Sequence, residues 1–191
     1  MPPKIKDICL IGAGGVGTIV VYVLEKSQRA LVTAVLRSNC ALVKQHGFDI
    51  DSVDLGNARN WRPYNVVSSI ASATTNKQSY DFIVITTKAL PDLTSSLISD
   101  LKPLITLQKT ALALLQNGLA IEAPFAAAFP NTPILSGVSM IGSQLTSPTT
   151  IFHQYPDVSK VGAYFYRVDD TLPKAIQFDA AASSSRSIMP A

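Results

Sequence analysis

The feature that most constrains this chain is a glycine cluster, Gly12-Ala13-Gly14-Gly15-Val16-Gly17, which stands between a short apolar run and a stretch with helical periodicity. The run Asp7-Ile-Cys-Leu-Ile11 is apolar on both faces and is stopped by glycine, as a strand buried inside a parallel sheet would be. After the cluster, Val16, Ile19, Val20, Val23 and Leu24 recur at helical spacing, and that pattern fades between Glu25 and Gln28. Leu31-Val-Thr-Ala-Val-Leu36 then supplies a second strand. Residues 7–36 therefore read as a strand, helix, strand unit of the length a parallel crossover needs.

In that position G-x-G-x-x-G has a mechanical meaning. Gly12 permits the tight turn out of the strand, Gly14 lets a pyrophosphate approach the backbone, and Gly17 lets the helix pack close to the strand. The helix N-terminus offers unpaired N–H groups and the positive end of its dipole to the phosphates. A P-loop needs Lys and then Ser or Thr after its last glycine, whereas this chain has Thr18-Ile19. The sequence thus predicts a dinucleotide site over Gly12, Ala13, Gly14, Gly15, Val16 and Gly17.

The end of the second strand selects the dinucleotide. A site for NAD carries a carboxylate there for the ribose 2′-hydroxyl, but Leu36 is followed by Arg37-Ser38-Asn39, and no carboxylate occurs before Asp49. Arg37 suits a 2′-phosphate, with Ser38 and Asn39 able to donate to it, so NADP in its reduced form is the expected cofactor. Two further strand ends carry polar residues at the edge where such sheets bind ligands. These are Lys88, after Ile83-Val-Ile-Thr-Thr87, and Asn117, after Ala111-Leu-Ala-Leu-Leu-Gln116.

Strands and helices alternate through most of the remainder. Ser38 or Asn39 caps a short helix ended by Gly47, residues 48–77 form an irregular excursion at the sheet edge, and residues 80–87 form a buried strand. A helix over 92–101, with Leu93, Leu97 and Leu101 on one face, precedes a strand over 110–115. An alanine-rich helix then runs from Ile121 to Phe129, and strands are expected near 133–141, 147–153 and 158–165. The pattern predicts a doubly wound, mostly parallel α/β sheet over residues 1–168, followed by an incomplete helix and frayed tail over 169–191.

Composition narrows the partners. Of 191 residues, 47% are hydrophobic and 15% charged, a globular balance. The net charge of +3 comes from basic residues spread along the chain, which argues against nucleic acid. Four glycines interrupt the only long apolar stretch near the N-terminus, so neither a secretory signal nor a membrane span is expected, and a cytoplasmic protein is. Cys9 and Cys40 read as reduced thiols, and His46 and His153 as structural or surface residues, with no metal site expected.

Together these pieces resemble the ketopantoate reductase family, the 2-dehydropantoate 2-reductases. The matching segments are Ile11 to Gly17, Leu36-Arg37-Ser38, Asp81 to Ala89 with its Thr-Thr-Lys88, Leu115-Gln-Asn117-Gly-Leu, and Gly137 to Pro148. The resemblance spans about residues 6–165. It implies NADPH-dependent reduction of 2-dehydropantoate to pantoate on the way to pantothenate. Lys88 and Asn117 would lie between cofactor and substrate, and the Gly142-Ser143 loop would lie near the nicotinamide. It also implies that the lysine serving as general acid belongs to a C-terminal helical domain that this chain lacks. In the tail, Lys174 is followed by Phe178 and Ala182 where that pattern calls for asparagines, so no catalytic residue is assigned. The expected partners are a small-molecule 2-keto acid and either a second copy in a homodimer or a partner chain that supplies the missing domain. The alternatives are a non-catalytic NADPH-binding or regulatory module, and a reductase of another 2-keto acid.

Overall fold

The computed structural model describes residues 4–76 and 79–165; the expected tail over 169–191, with Lys174, lies outside the described residues. The opening strand β1 (Lys6–Ile11) is central because both its faces are apolar. Ile8 and Leu10 enter one core, and Cys9 and Ile11 enter another on the opposite face. Helix α1 (Gly15–Lys26) crosses to β2 (Ala30–Val35), which pairs parallel with β1, Cys9 opposite Thr33. The chain continues through α2 (Cys40–His46), β3 (Phe48–Ser52), β4 (Ala58–Trp61), β5 (Asn65–Val67) and α3 (Ile70–Asn76). It then returns to the other side of β1 as β6 (Phe82–Ile85). Helix α4 (Pro91–Leu101), β7 (Ala111–Leu114), α5 (Ala123–Ala128) and β8 (Ile134–Ser139) extend the sheet, followed by β9 (Gly142–Ser147), β10 (Thr150–Tyr155) and β11 (Ser159–Ala163).

The main sheet has the order β11-β8-β7-β6-β1-β2-β5, and every pair in it is parallel except β8 with β11. The mostly parallel, Rossmann-like sheet expected from the alternation is therefore the fold. The direction of winding reverses between β1 and β6, which opens a crevice at their carboxyl ends.

The excursion expected at the sheet edge is where the structure departs most from the sequence reading. Only β5 joins that edge; β3 and β4 form a second sheet of order β4-β3-β10-β9, in which β10, about a hundred residues later, lies parallel to β3. Phe48 and Ile50 alternate with Asp49 and Asp51 and are fully buried, the period-2 pattern of a strand covered on one side. Residues 142–147, expected to be a loop at their start, are the strand β9.

This second sheet explains why α1 buries a different set of residues from the expected stripe. The helix touches β1 and β2 on one side and β9 and β10 on the other, so Gly17, Thr18, Ile19, Val21 and Tyr22 are buried while Val23 is 43% exposed. Tyr22 meets Trp61 edge to face, with ring centroids 5.1 Å apart, and Trp61 stacks on Phe48 at 6.5 Å. Along α4 the expected apolar face is likewise narrower than its leucine spacing implies. Leu101 is fully buried and Leu97 packs on the core, but Leu93 is 51% exposed.

One carboxylate ties the lower end of α1 to the sheet. Glu25 Oε1 accepts the N–H of Val32 and of Tyr64, both at 2.9 Å. Desolvation raises its pKa against the lowering effect of those two N–H groups. A raised carboxyl pKa means that the native state holds the proton more tightly than the unfolded chain, so stability is lost as pH climbs through and above the glutamate range. Glu25→Gln keeps the accepting oxygen without the charge. Its thermal midpoint should exceed that of the parent at about pH 7 and match it near about pH 3, below the ordinary glutamate range, where the parent is protonated in both states.

Candidate functional site

The crevice between β1 and β6 is built around the glycine loop. Gly12 leaves β1 with φ +101°, a conformation L side chains rarely adopt, and a Cβ there would lie 2.6 Å from Thr87 Cγ2 and 2.8 Å from its backbone nitrogen. The turn closes with Gly14 N–H donating to Gly12 O at 2.9 Å. Just past β6, the Thr86 N–H donates to Ile11 O at 3.0 Å and its hydroxyl to Gly12 O at 2.5 Å, pinning the loop to the end of the neighbouring strand. Thr18 Oγ1 donates to Ala13 O at 3.3 Å from inside the first helical turn.

Gly14 is the N-cap of α1 and contributes no side chain, and a Cβ added to it would meet nothing within 4 Å. The first helical turn has no acidic residue. Its amides have no acceptor within the helix, so the loop presents N–H groups and a positive dipole end toward open space. Gly15 is the opposite case, with Ser143 O 2.6 Å and Gln144 Cα 2.8 Å from its notional Cβ. Strand β9 thus walls one side of the loop, while the Gly14 side stays open. Ser143 reaches the loop through its backbone, and its hydroxyl is enclosed.

The other expected residues stand at carboxyl ends of neighbouring strands. Arg37 and Ser38 follow β2 and are exposed. Asn39, expected beside them as a donor, is instead 9% exposed and gives its amide to Pro148 O at 2.8 Å, fastening α2 to the turn between β9 and β10. Lys88 and Asn117 are exposed after β6 and β7. Gln116, which sequence reasoning did not single out, links those two ends. Its Nε2 donates to Thr87 O at 2.8 Å and to Thr87 Oγ1 at 3.2 Å, which brings the segments carrying Lys88 and Asn117 side by side. Glu122, 8% exposed, accepts a hydrogen bond from Ser136 on β8 and so holds the chain that follows Asn117. Neither residue had a periodicity to betray it, although Gln116 lies inside the Gln-Asn-Gly piece.

Other titratable groups lie away from the crevice. Burial pushes the Cys9 thiol up to about 12, so it stays protonated and unreactive. His46 is exposed at the end of α2, and His153 is 1% exposed in β10. No helix among the described residues is long and apolar enough to cross a membrane.

Residues 8–165 match the model of the family described as ketopantoate reductase PanE/ApbA. An uncharacterized protein of Saccharomyces cerevisiae is 36% identical over 152 residues, covering 71% of this chain and 43% of the yeast protein. Among solved structures, 2-dehydropantoate 2-reductase from Methylococcus capsulatus superposes with a TM-score of 0.73 and 31% identity, over 83% of this chain and 48% of that one. A D-mandelate dehydrogenase solved with NADH and anilino(oxo)acetate shares the fold at a TM-score of 0.66 and 20% identity, over 81% of this chain and 47% of its own. The chain therefore spans about half or less of the length of these relatives. With the family model covering both the glycine loop and the β9–β10 segment, the chain belongs to the ketopantoate reductase family.

Proposed function

We propose that this chain is the cofactor-binding half of an NADPH-dependent reductase that converts 2-dehydropantoate to pantoate in the cytoplasm, as a step toward pantothenate. The observation that carries the reading is the open cradle at Gly14. It is a side-chain-free N-cap at the carboxyl end of β1, on a twelve-residue helix with no acid in its first turn. A pyrophosphate fits such a site because the unpaired N–H groups of the first turn replace part of its hydration shell. Arg37 and Ser38 would receive the 2′-phosphate, Arg37 as a two-pronged donor. Lys88 and Asn117 would stand between nicotinamide ribose and keto acid, with Gln116 holding them together. Ser143 would border the cofactor from the β9 wall.

When bound, NADPH supplies a hydride to the ketone carbon, and a proton must reach the carbonyl oxygen. A cation aimed at that oxygen stabilises its developing charge. By the family resemblance the general acid would belong to a C-terminal helical domain, and turnover would need that domain.

A second reading, reduction of a different 2-keto acid, is favoured by the D-mandelate dehydrogenase of the same fold, solved with NADH and anilino(oxo)acetate. Cofactor choice then rests on Arg37. NADPH should raise the unfolding midpoint of the 191-residue chain more than NADH does, and Arg37→Ala should weaken NADPH binding about ten-fold or more while leaving NADH nearly unchanged. Equal stabilisation of the parent by both nucleotides would defeat the assignment of Arg37.

A further inference from the structure

Thr87 stands where three strand ends meet, and its hydroxyl is tied on one side only. It lies two residues past β6 and against the first glycine of the loop, since a Cβ on Gly12 would be 2.6 Å from Thr87 Cγ2 and 3.1 Å from Thr87 Cα. From the end of β7, Gln116 Nε2 reaches both Thr87 O, at 2.8 Å, and Thr87 Oγ1, at 3.2 Å. Gln116 is 8% exposed, so little water competes for these bonds.

These contacts fix the polarity of the hydroxyl. The Thr87 carbonyl can only accept, which decides that the nitrogen end of the amide faces it. An amide nitrogen gives hydrogens and has no lone pair to offer, so Thr87 Oγ1 must accept as well. Its own proton then has to be given elsewhere, and no acceptor among the described residues takes it. The neighbouring threonine is the contrast, because the Thr86 hydroxyl is already spent on Gly12 O. Thr87 is half-buried at the mouth of the crevice, and the direction left for its proton is the open one.

The order of the strands says which part of a dinucleotide would pass here. Strands β2 and β6 flank β1 on opposite sides. With the 2′-phosphate at Arg37, past β2, and the pyrophosphate over the glycine loop, the nicotinamide half lies over the end of β6. We propose that the Thr87 hydroxyl is a direct ligand of that half, donating to an acceptor oxygen on the nicotinamide side of the pyrophosphate. Gln116 is the positioning residue that keeps it a donor before the nucleotide arrives. The proposal rests on the reading of the crevice as a dinucleotide site.

Three variants of the 191-residue chain test it, each followed by unfolding midpoints read at Trp61 and by calorimetric titration at about pH 8 with NADPH, NADH and adenosine 2′,5′-bisphosphate. The last probe has the Arg37 end of NADPH and no nicotinamide half. Thr87→Val keeps the shape and removes the hydroxyl, and should weaken NADPH and NADH alike by about ten-fold while leaving the bisphosphate within about two-fold. Thr87→Ser keeps the hydroxyl and should stay within about three-fold of the parent for all three. Gln116→Glu replaces the donor by a carboxylate, which accepts the Thr87 proton and withdraws it from the crevice. It should be about as poor as Thr87→Val for both nucleotides, with the bisphosphate again spared, and the double variant should lose little more than either single. The proposal is overturned if Thr87→Val binds NADPH as the parent does, if the bisphosphate loses as much as NADPH, or if the two single losses multiply. A parent that binds none of the three probes overturns the reading of the crevice and the proposal with it, whereas a parent that binds them and matches Thr87→Val overturns the proposal alone.

Discussion

Replacing Gly14 with aspartate should abolish nucleotide binding and leave the fold at least as stable as before. Gly14 has φ −79°, which any residue adopts, and a Cβ there meets nothing within 4 Å, so the substitution introduces neither strain nor overlap. Aspartate is moreover among the best N-cap residues, able to accept an N–H of the first turn and to favour the helix dipole, together worth up to about 1 kcal/mol over glycine. The same carboxylate would occupy the cradle and repel a pyrophosphate at its point of approach. We expect an unchanged or raised melting midpoint and a loss of NADPH affinity of about a hundred-fold or more, equivalent to at least about 2.7 kcal/mol. Calorimetric titration and a melting curve on the same preparation check both halves. Undiminished binding by Gly14→Asp would mean that the phosphates do not sit at this helix end.

Gly17 should behave in the opposite way. A Cβ there would run into the carbonyl oxygen of Gly12 and lie 2.5 Å from Thr86 Oγ1, the hydroxyl that pins the loop to β6. The first obstacle is backbone, which cannot swing aside. Gly17→Val must therefore lift α1 from β1 or distort the turn, and it adds volume between a helix and two sheets that are already packed. Overpacking of this kind costs about 1–3 kcal/mol, and valine should sit at or beyond the upper end. At about 2–4 °C per kcal/mol for a domain of this size, the midpoint should fall by roughly 6–12 °C. Denaturant melts followed by Trp61, which reports the packing of the second sheet on α1, would measure it. A loss below about 1 kcal/mol would show that the close approach of helix and strand is not needed.

The contrast between these two glycines shows what a linear reading can and cannot recover. The motif spacing locates both in the turn between strand and helix, since strand, turn and helix are contiguous and their requirements are local. The buried strands β1, β6 and β7 were legible for the same reason, as short apolar runs bounded by glycine or polar residues. What escaped was made by contacts between distant segments. The alternation of Phe48 and Ile50 with Asp49 and Asp51 is visible in the chain, but nothing nearby says that its partner is Ile151. Without that partner the segment looks like an irregular edge, and the stripe of α1 looks one-sided when the helix is covered on two sides.

The site shows the same division. The strand-end positions of Arg37, Lys88 and Asn117 are legible from which residues follow buried strands. Gln116 and the Ser52, Asp54 and His153 group act by joining two strand ends or two strands. Their partners, Thr87 for Gln116 and β10 for the residues of the β3 end, are set by topology rather than by spacing. Asn39 illustrates the converse error. Its place beside Arg37 suggested a phosphate donor, yet the second sheet brings Pro148 O within 2.8 Å and takes the amide for itself.

The most direct test of the account is hydrogen exchange of the 191-residue chain with and without NADPH, read peptide by peptide. Protection should appear over residues 11–19, with smaller effects at 36–38 and 86–88, and should vanish in Gly14→Asp. Protection confined instead to the surface groove of about 280 Å³ lined by Lys102, Phe129 and Thr132, or no protection anywhere at saturating nucleotide, would contradict it.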